Sequence, residues 1–311
     1  MVFEKMEGLG NDFIMLDDRN GKIATLQGGY PEIAKTLCSR HFGIGADGII
    51  LLLNSQKEDI GFKIFNCDGS EAQMCGNGMR CFAKYLFENK IINKKVITVE
   101  TRAGRVIPEI ITDESGKVKS VCVDMGEPIL EPEKIPFVLP AQPNGKAEVD
   151  SQSSASTVQS SISTSQGHQG DMAVNIPLNA NGEIFNITAV SMGNPHAVIF
   201  VDDVSTTPVE LYGRAIENHP NFPEKTNVEF IQIIDRLQIN MRVWERGAGE
   251  TLACGTGSCA AMVAATLNGK CARKVKLHLK GGTLDIEWRE SDNHIYKTGP
   301  ANSVFKGTIE I

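Results

Sequence analysis

The sequence predicts an α+β fold made of two pseudo-symmetric halves, each a mainly antiparallel sheet or barrel wrapped around a central helix. Three observations lead to this prediction. A motif of the form Glu-x-x-x-Cys-Gly-x-Gly occurs twice, starting at Glu71 and at Glu250. Each copy lies among segments with the patterns of strands and glycine-bearing turns. The second copy opens the run "CGTGSCAAMVAATL", which has almost no polar face, as expected of a helix enclosed by a sheet.

The repeat extends beyond the motif. When Cys75 is aligned with Cys254, "KIFN" before the first copy matches "RVWE" before the second, and "VETRAGRVIPEI" after the first matches "LHLKGGTLDIEW" after the second. The segment "GNDFIMLDD", from Gly10, likewise matches "GNPHAVIFVDD", from Gly193. Four anchors in the same order at nearly constant spacing indicate a duplicated unit, and a repeat of this kind decides the architecture.

Each half mixes both element types. In the first half, "GGYPEIAKTLCSRH" is typical of a helix, and "FKIFNCDG", "KVITVETRAGRVIPEII" and "SVCVDMG" are typical of strands. In the second half, "IQIIDRLQINMRVWERG" and "KVKLHLKGGTLDIEWRE" resemble hairpins, and "SVFKGTIEI" predicts a last strand. After Cys254, the residues Cys259, Met262, Val263 and Thr266 recur at helical spacing with alanines between them, so this helix is predicted to be buried nearly all round. The resulting class is α+β.

Residues 141–171 differ in composition from the rest of the chain. Eight of the sixteen residues from Ser151 to Gln166 are serine, and aromatic or branched apolar side chains are almost absent. Such a segment cannot bury enough apolar surface to offset the entropy lost on ordering. We expect a mobile insertion without a catalytic role.

The composition limits the kinds of ligand. With 31 Lys and Arg against 38 Asp and Glu, the net charge is −7, and no basic stripe supports a nucleic-acid or anionic-membrane partner. The start, "MVFEKMEGLG", lacks the pattern of a secretory signal, and no apolar run approaches the length of a membrane span. We therefore expect a cytoplasmic protein with a small-molecule substrate. Its eight cysteines are expected to be reduced, which argues against a disulfide framework.

Cys75 and Cys254 each stand where a glycine-containing loop gives way to a helical run. A thiol at a helix N-terminus lies beside free backbone N–H groups and the positive end of the helix dipole, which lowers its pKa. The glycines that follow let a ligand approach the backbone, and such a loop suits a carboxylate. Two of these loops facing each other would place one sulfur on each side of a bound α-carbon. One thiolate could then remove the α-proton while the opposite thiol delivers a proton to the other face, so we predict stereoinversion.

Other roles for the cysteines are less favoured. Free cysteines are usually core residues, which is the prediction for Cys38, Cys67, Cys81, Cys122, Cys259 and Cys271. A zinc site formed by Cys75, Cys81, Cys254 and Cys259 fits poorly, because both sulfurs of each copy would lie on or near one helix. A redox dithiol lacks the Cys-x-x-Cys spacing.

The segment "GIGADG", from Gly43 to Gly48, matches the dinucleotide-binding fingerprint. That fingerprint should follow a strand and open a helix, whereas here a helix-like run precedes it and "IILLL" follows. No nucleotide site is predicted, and neither a cofactor nor a metal is expected.

At these motifs the sequence closely resembles the diaminopimelate epimerase family, cofactor-independent enzymes that invert one α-centre of LL-diaminopimelate to give the meso form. The segments "NCDGSEAQMCGNGMRC", "VSMGNPHAV", "NVEF" and "WERGAGETLACGTGSCA" stand in the family's order, and the resemblance covers nearly the whole chain apart from the serine-rich insertion. It implies two halves, residues 1–128 with 300–311 and residues 129–299, because the C-terminal strand returns to the first half. It also implies a homodimer.

The resemblance implies that Cys75 and Cys254 are the acid/base pair. It further implies that His196 and Glu245 tune which sulfur carries the proton, with a structural hydrogen bond as the alternative role for both residues. Amide side chains with one Glu and one Arg can satisfy the distal amino and carboxylate groups of the substrate. The implied substrate contacts are Asn11, Asn66, Gly76, Asn77, Asn194, Asn227, Glu245, Arg246, Gly255 and Thr256.

Two alternatives remain open at this point. Proline and hydroxyproline racemases or epimerases also pair two cysteines, but they resemble Cys-Gly-His where this sequence has Asn77 after Cys-Gly. A zinc-binding or thiol-redox module would instead bind metal stoichiometrically or cycle Cys75 and Cys254 between two redox states.

Overall fold

The computed structural model describes residues 1–140 and 172–310, so the predicted mobile insertion at 141–171 lies outside the described residues. The described part contains helices α1 (Gly29–Cys38), α2 (Gly76–Glu88), α3 (Val209–Glu217) and α4 (Gly255–Leu267). In that part of the chain, no helix has both the length and the apolar character that a membrane crossing requires.

The described residues form more strands than helices. Nine strands belong to the first part of the chain: β1 (Val2–Gly8), β2 (Asn11–Asp17), β3 (Gly48–Leu53), β4 (Ile60–Asn66), β5 (Glu71–Ala72), β6 (Val99–Thr101), β7 (Gly104–Val106), β8 (Pro108–Thr112) and β9 (Val118–Asp124). Ten follow the insertion: β10 (Ile176–Ala180), β11 (Glu183–Ser191), β12 (Pro195–Phe200), β13 (Asn227–Asp235), β14 (Gln238–Glu245), β15 (Gly249–Thr251), β16 (Lys274–Leu279), β17 (Gly282–Trp288), β18 (Ile295–Gly299) and β19 (Asn302–Thr308).

The strands form two sheets that repeat one pattern. The first has the order β19-β1-β2-β3-β4-β6-β7, and the second has the order β10-β11-β12-β13-β14-β16-β17-β18-β9-β8. The parallel pair β2–β3 corresponds to β12–β13, and the parallel pair β4–β6 corresponds to β14–β16. The remaining named pairs in the described residues are antiparallel, and β5 and β15 occupy equivalent places beside β4 and β14. The predicted duplication and the α+β class with mainly antiparallel sheets are confirmed.

Each sheet encloses one helix. In α4, every residue from Gly257 to Ala265 is buried, and the helix packs against strands from β11 to β18. In α2, a run from Asn77 to Ala83 is buried, and the helix packs against β1, β2, β8 and β9. Burial of the largely apolar α4 inside a sheet removes a large apolar area from water, which is the main stabilising contribution. Helices α1 and α3 pack on the opposite, outer faces of the sheets.

The chain crosses between the halves in two places. The last strand, β19, pairs with β1, as the resemblance implies for a returning C-terminal strand. Strand β9 pairs with β18 and so joins the second sheet, although it also covers α2 of the first half. The division at residue 128 therefore stays a prediction.

Candidate active site

The starts of α2 and α4 meet at a cleft of about 1040 Å³. Both helices begin with the duplicated motif, so equivalent elements of the two halves form the cleft. Eleven of the residues predicted to act on or bind the substrate line it, and Asn11 among them is the first residue of β2. The predicted residues on the cleft wall are Asn11, Asn66, Cys75, Gly76, Asn77, Asn194, Glu245, Arg246, Cys254, Gly255 and Thr256.

Cys75 and Cys254 are the N-cap residues of α2 and α4. Their backbones are extended, with φ/ψ of −139°/117° and −118°/117°. Each sulfur accepts a hydrogen bond from the backbone N–H three residues on, from Gly78 at 3.5 Å and from Gly257 at 3.4 Å. An N-cap acceptor satisfies one of the free donors at a helix start. The two thiols thus have equivalent local structures, as the repeated motif predicts.

The surroundings of the two sulfurs differ. Cys75 is half-buried, and its thiol donates to Asn11 Oδ1 at 3.8 Å. Cys254 is buried and lies 3.6 Å from Thr256 Oγ1. Burial, followed by the negative charges of Glu245 and Glu229, raises the pKa of the Cys254 thiol well above its usual value. The expectation that the helix start would lower this pKa is wrong for Cys254, because desolvation and two carboxylates outweigh the backbone N–H contact.

This cause can be tested through the reactivity of Cys254. Changing Glu245→Gln removes a nearby negative charge, so the thiolate is less disfavoured and the pKa of Cys254 falls. We expect alkylation of Cys254 by iodoacetamide to begin at lower pH in this variant than in the wild-type protein. The midpoint is measured by peptide mass spectrometry after alkylation across a pH series.

The matched control is Glu250→Gln. Glu250 lies on the same β14–β15 ribbon but is held at the surface by Arg242 and Lys280. Its replacement is expected to leave the alkylation midpoint of Cys254 unchanged. A midpoint that stays fixed or rises in Glu245→Gln would contradict the electrostatic cause.

Two equivalent turns place Asn11 and Asn194 at the cleft. Each asparagine follows a glycine with positive φ, 83° at Gly10 and 89° at Gly193, a conformation that other residues rarely adopt. The Asn11 amide donates to Asp47 Oδ2 at 2.7 Å, and its oxygen accepts from the Asn77 amide at 3.3 Å. The resemblance between "GNDF" and "GNPH" therefore reflects one local structure used in both halves.

Asn66 and Glu245 occupy equivalent ends of β4 and β14. The Asn66 amide donates to Ser70 Oγ at 2.9 Å, whereas Glu245 Oε1 accepts from Thr251 Oγ1 at 2.5 Å. Next to Glu245, the Arg246 guanidinium donates to the Glu224 carbonyl at 2.9 Å. A neutral amide on one side and a carboxylate with a guanidinium on the other give the symmetric cleft two chemically different ends.

Asn227 and His196 lie behind the cleft wall. Asn227 is buried, donates to the Pro195 carbonyl at 2.9 Å and accepts from the Arg246 backbone N–H at 3.0 Å. His196 is also buried, with Nδ1 2.7 Å from Glu229 Oε1 and Nε2 3.1 Å from Asn194 Oδ1. Asn227 thus holds the backbone of Arg246, and His196 holds the side chain of Asn194. Both Arg246 and Asn194 line the cleft.

The sequence did not point to several residues of the site. Asp47 belongs to the "GIGADG" segment, which lies in the loop before β3, and it anchors Asn11. Glu229 is buried beside His196. Lys297 lies on an inward-facing position of β18, between Ile295 and Gly299. The alternation of inward and outward residues along this strand could therefore have indicated that Lys297 is buried. Arg80, fully buried in α2, donates to Asn77 Oδ1 at 2.9 Å.

The remaining cysteines follow the prediction with one exception. Cys38, Cys81, Cys122, Cys259 and Cys271 are buried, whereas Cys67 is exposed in the turn after β4, so the core prediction is wrong for Cys67. No group of three or more His, Cys, Asp or Glu side chains within residues 1–140 and 172–310 is placed to hold a metal ion. The zinc alternative therefore has no donor cluster in the described chain.

The overall structure resembles solved structures at low sequence identity. A phenazine biosynthesis protein of the PhzF family from Bacillus anthracis matches with a TM-score of 0.65 and 17% identity, over 100% of this chain and 98% of that one. A hydroxyproline epimerase from Agrobacterium vitis matches with a TM-score of 0.64 and 14% identity, over 99% and 90%. The fold is therefore the two-half fold shared with these proteins, and here each half contributes a helix-capping thiol to one cleft.

Sequence comparison defines the family. The family model described as diaminopimelate epimerase matches residues 3–131 and 188–304. The diaminopimelate epimerase of Desulforapulum autotrophicum is 54% identical over 99% of both chains, and that of Heliobacterium modesticaldum is 48% identical over 100% of both. The one from Methanococcus maripaludis is 45% identical over the same full length. The chain belongs to the diaminopimelate epimerase family.

Proposed function

We propose that the protein converts LL-diaminopimelate to meso-diaminopimelate, a step of lysine biosynthesis, by proton transfer between Cys75 and Cys254. The observation that carries this proposal is the pair of N-cap cysteines at equivalent positions of two repeated halves, both on the wall of one cleft. Inversion of an α-carbon needs an acid and a base on opposite faces, and a pseudo-symmetric pair of thiols supplies both.

The two cysteines have different roles in the proposed conversion of the LL isomer. Because burial and two carboxylates favour the protonated form of Cys254, we assign Cys254 as the acid and Cys75 as the base. The thiolate of Cys75 takes the α-proton, and the electron pair of the broken C–H bond is delocalised into the carboxylate. Cys254 then gives its proton to the opposite face, so a new C–H bond forms and Cys254 becomes the thiolate. Conversion in the other direction uses the same residues with exchanged roles.

The two different ends of the cleft support an unsymmetrical pose of the substrate. The reacting centre carries a carboxylate, which suits the N–H groups at the starts of α2 and α4. The distal centre carries an ammonium and a second carboxylate. Glu245 and Arg246 offer opposite charges at one end of the cleft, and bidentate recognition of carboxylate by arginine is strong and directional. A substrate without the distal ammonium and carboxylate would leave Glu245 and Arg246 without a charged group to bind.

The proposal is tested by separating the stereoisomers of diaminopimelate after incubation with the purified protein and no added cofactor. We expect LL-diaminopimelate to be converted to the meso isomer until both are present, and we expect L-proline to remain unchanged. If L-proline is racemised and LL-diaminopimelate is not, the protein is instead an imino-acid racemase of the same fold.

The assembly and location remain predictions. We propose a cytoplasmic homodimer, supported by the resemblance to a family whose members are commonly dimers. Light scattering during size-exclusion chromatography is expected to give the mass of two chains.

A further inference from the structure

Lys297 is a lysine in the interior of the fold. It lies on β18 with 0% of its surface exposed, and in the sheet it pairs with Ile286 on one side and Val123 on the other. A lysine at an inward strand position is unusual, because the ammonium must be removed from water. Something at this position must therefore favour a cation over an apolar side chain.

The Lys297 side chain ends between the two helix starts. A Cβ atom built on Gly76 would lie 2.5 Å from Lys297 Nζ, and a Cβ built on Gly255 would overlap the same nitrogen. These two glycines directly follow the two cysteines of the proposed mechanism. Only residues without a side chain leave room for the ammonium there, so the lysine and both Cys-Gly sequences form one structural unit.

The ammonium of Lys297 has no hydrogen-bond partner among the described residues. Burial, together with the positive charge of Arg80, lowers the pKa of Lys297, while the cysteines Cys259, Cys75 and Cys254 oppose this effect. An unpartnered buried polar group normally costs about 1–3 kcal/mol, and more when it is charged. An unpartnered buried group in a native structure calls for an explanation, and an anion bound during function is one that fits a cation beside the cleft.

A second buried cation at this place behaves differently. Arg80 is also fully buried, but it donates to the Pro300 carbonyl at 3.0 Å and to Asn77 Oδ1 at 2.9 Å. Its guanidinium therefore holds Pro300, between β18 and β19, and the cleft residue Asn77 in position. Of these two cations, Lys297 is the one whose charge has no local oxygen to neutralise it in the described structure.

We propose that Lys297 is an electrostatic positioning residue that stabilises the negative charge developing on the substrate α-carboxylate when the α-proton leaves. This inference rests on the proposed function. The carboxylate would be held by the backbone N–H groups at the starts of α2 and α4, and the ammonium occupies the space that side chains at Gly76 and Gly255 would take. Because it lies next to both helix starts, it serves the reaction in both directions.

The chemistry explains why the charge matters most during proton transfer. In the bound substrate the α-carboxylate carries one negative charge. When the C–H bond breaks, its electron pair moves into the carboxylate, which then approaches two negative charges. A fixed cation that is itself shielded from bulk water stabilises the second charge more than the first, so it lowers the barrier more than it strengthens binding.

The test compares Lys297→Met, Lys297→Gln and the control Lys276→Met. Lys276 is an exposed lysine on β16 of the same sheet, where it forms an ion pair with Asp285. Steady-state kinetics with LL-diaminopimelate and thermal unfolding are measured for each protein. We expect kcat to fall about tenfold or more in both Lys297 variants, with a smaller change in KM and an unchanged or higher Tm. Lys276→Met should keep the wild-type kcat.

A merely structural lysine would give the opposite combination, a lower Tm with kcat retained in the folded protein. Full kcat in either folded Lys297 variant, or a rise in KM alone, would overturn the proposal. Failure of both variants to fold would also contradict it, because the proposal gives Lys297 no part in holding the fold together. A wild-type protein that does not invert LL-diaminopimelate would instead contradict the proposed function.

Discussion

Replacement of Cys75 or Cys254 by alanine is expected to lower kcat for epimerisation by about 10²–10⁴-fold, the usual contribution of a positioned acid or base. Both losses should be large, because inversion needs proton removal on one face and proton delivery on the other. Neither thiol can substitute for its partner, since each is fixed as the N-cap of its own helix. The variants are compared with the wild-type protein by the rate of appearance of meso-diaminopimelate.

Cys81→Ala and Cys67→Ala are the matched controls. Cys81 lies on α2 below Cys75 and is fully buried, so its loss tests the effect of removing a thiol from the same helix. Cys67 is exposed, and its loss tests the removal of an accessible thiol. Both controls should keep kcat within a few-fold of the wild-type value. Retention of full activity in Cys75→Ala or Cys254→Ala would contradict the assignment of these two cysteines as the acid and the base.

The second large effect concerns stability. His196→Leu is expected to lower the free energy of unfolding by about 3–5 kcal/mol, the usual cost of removing one partner of a buried pair. Glu229 is fully buried, His196 is the partner of its Oε1, and its Oε2 has no partner in the described residues. Without the imidazole, both carboxyl oxygens of Glu229 would be buried without a hydrogen bond.

Denaturant unfolding of His196→Leu, Glu229→Leu and the double variant measures this coupling. The double variant should be more stable than His196→Leu alone, because the orphaned carboxyl is then absent. His278→Leu is the control, since this imidazole contacts Thr283 at the exposed part of a strand and should change stability by about 0.5 kcal/mol or less. Equal stabilities of His196→Leu and His278→Leu would show that the buried pair does not stabilise the fold.

Much of the architecture could be predicted because the duplication repeats local structure along with sequence. The two Cys-Gly loops, the turns before Asn11 and Asn194 and the hairpins that follow each central helix have their equivalents in both halves. The complete burial of α4 followed from its lack of a polar face. These features depend on the order of residues along one segment.

Other features depend on contacts between distant segments, which sequence order does not contain. The raised pKa of Cys254 arises first from burial and then from the carboxylates of Glu245 on β14 and Glu229 on β13. The helix dipole, which the sequence does indicate, is weaker than their combined effect with burial. Lys297 reaches the cleft from a strand more than forty residues after Cys254. The pairing of β9 with β18 likewise joins segments that the repeat alone assigns to different halves.

The most direct test of two-base inversion is the incubation of LL-diaminopimelate with the enzyme in heavy water, with no added cofactor, followed by mass spectrometry of each separated isomer. We expect the first meso-diaminopimelate formed to carry one deuterium, at the inverted α-carbon, while the unreacted LL isomer carries none at early times. Deuterium in the LL isomer before any meso product forms would indicate a single base. Inversion without deuterium uptake, or no reaction with a folded protein, would contradict proton exchange through Cys75 and Cys254.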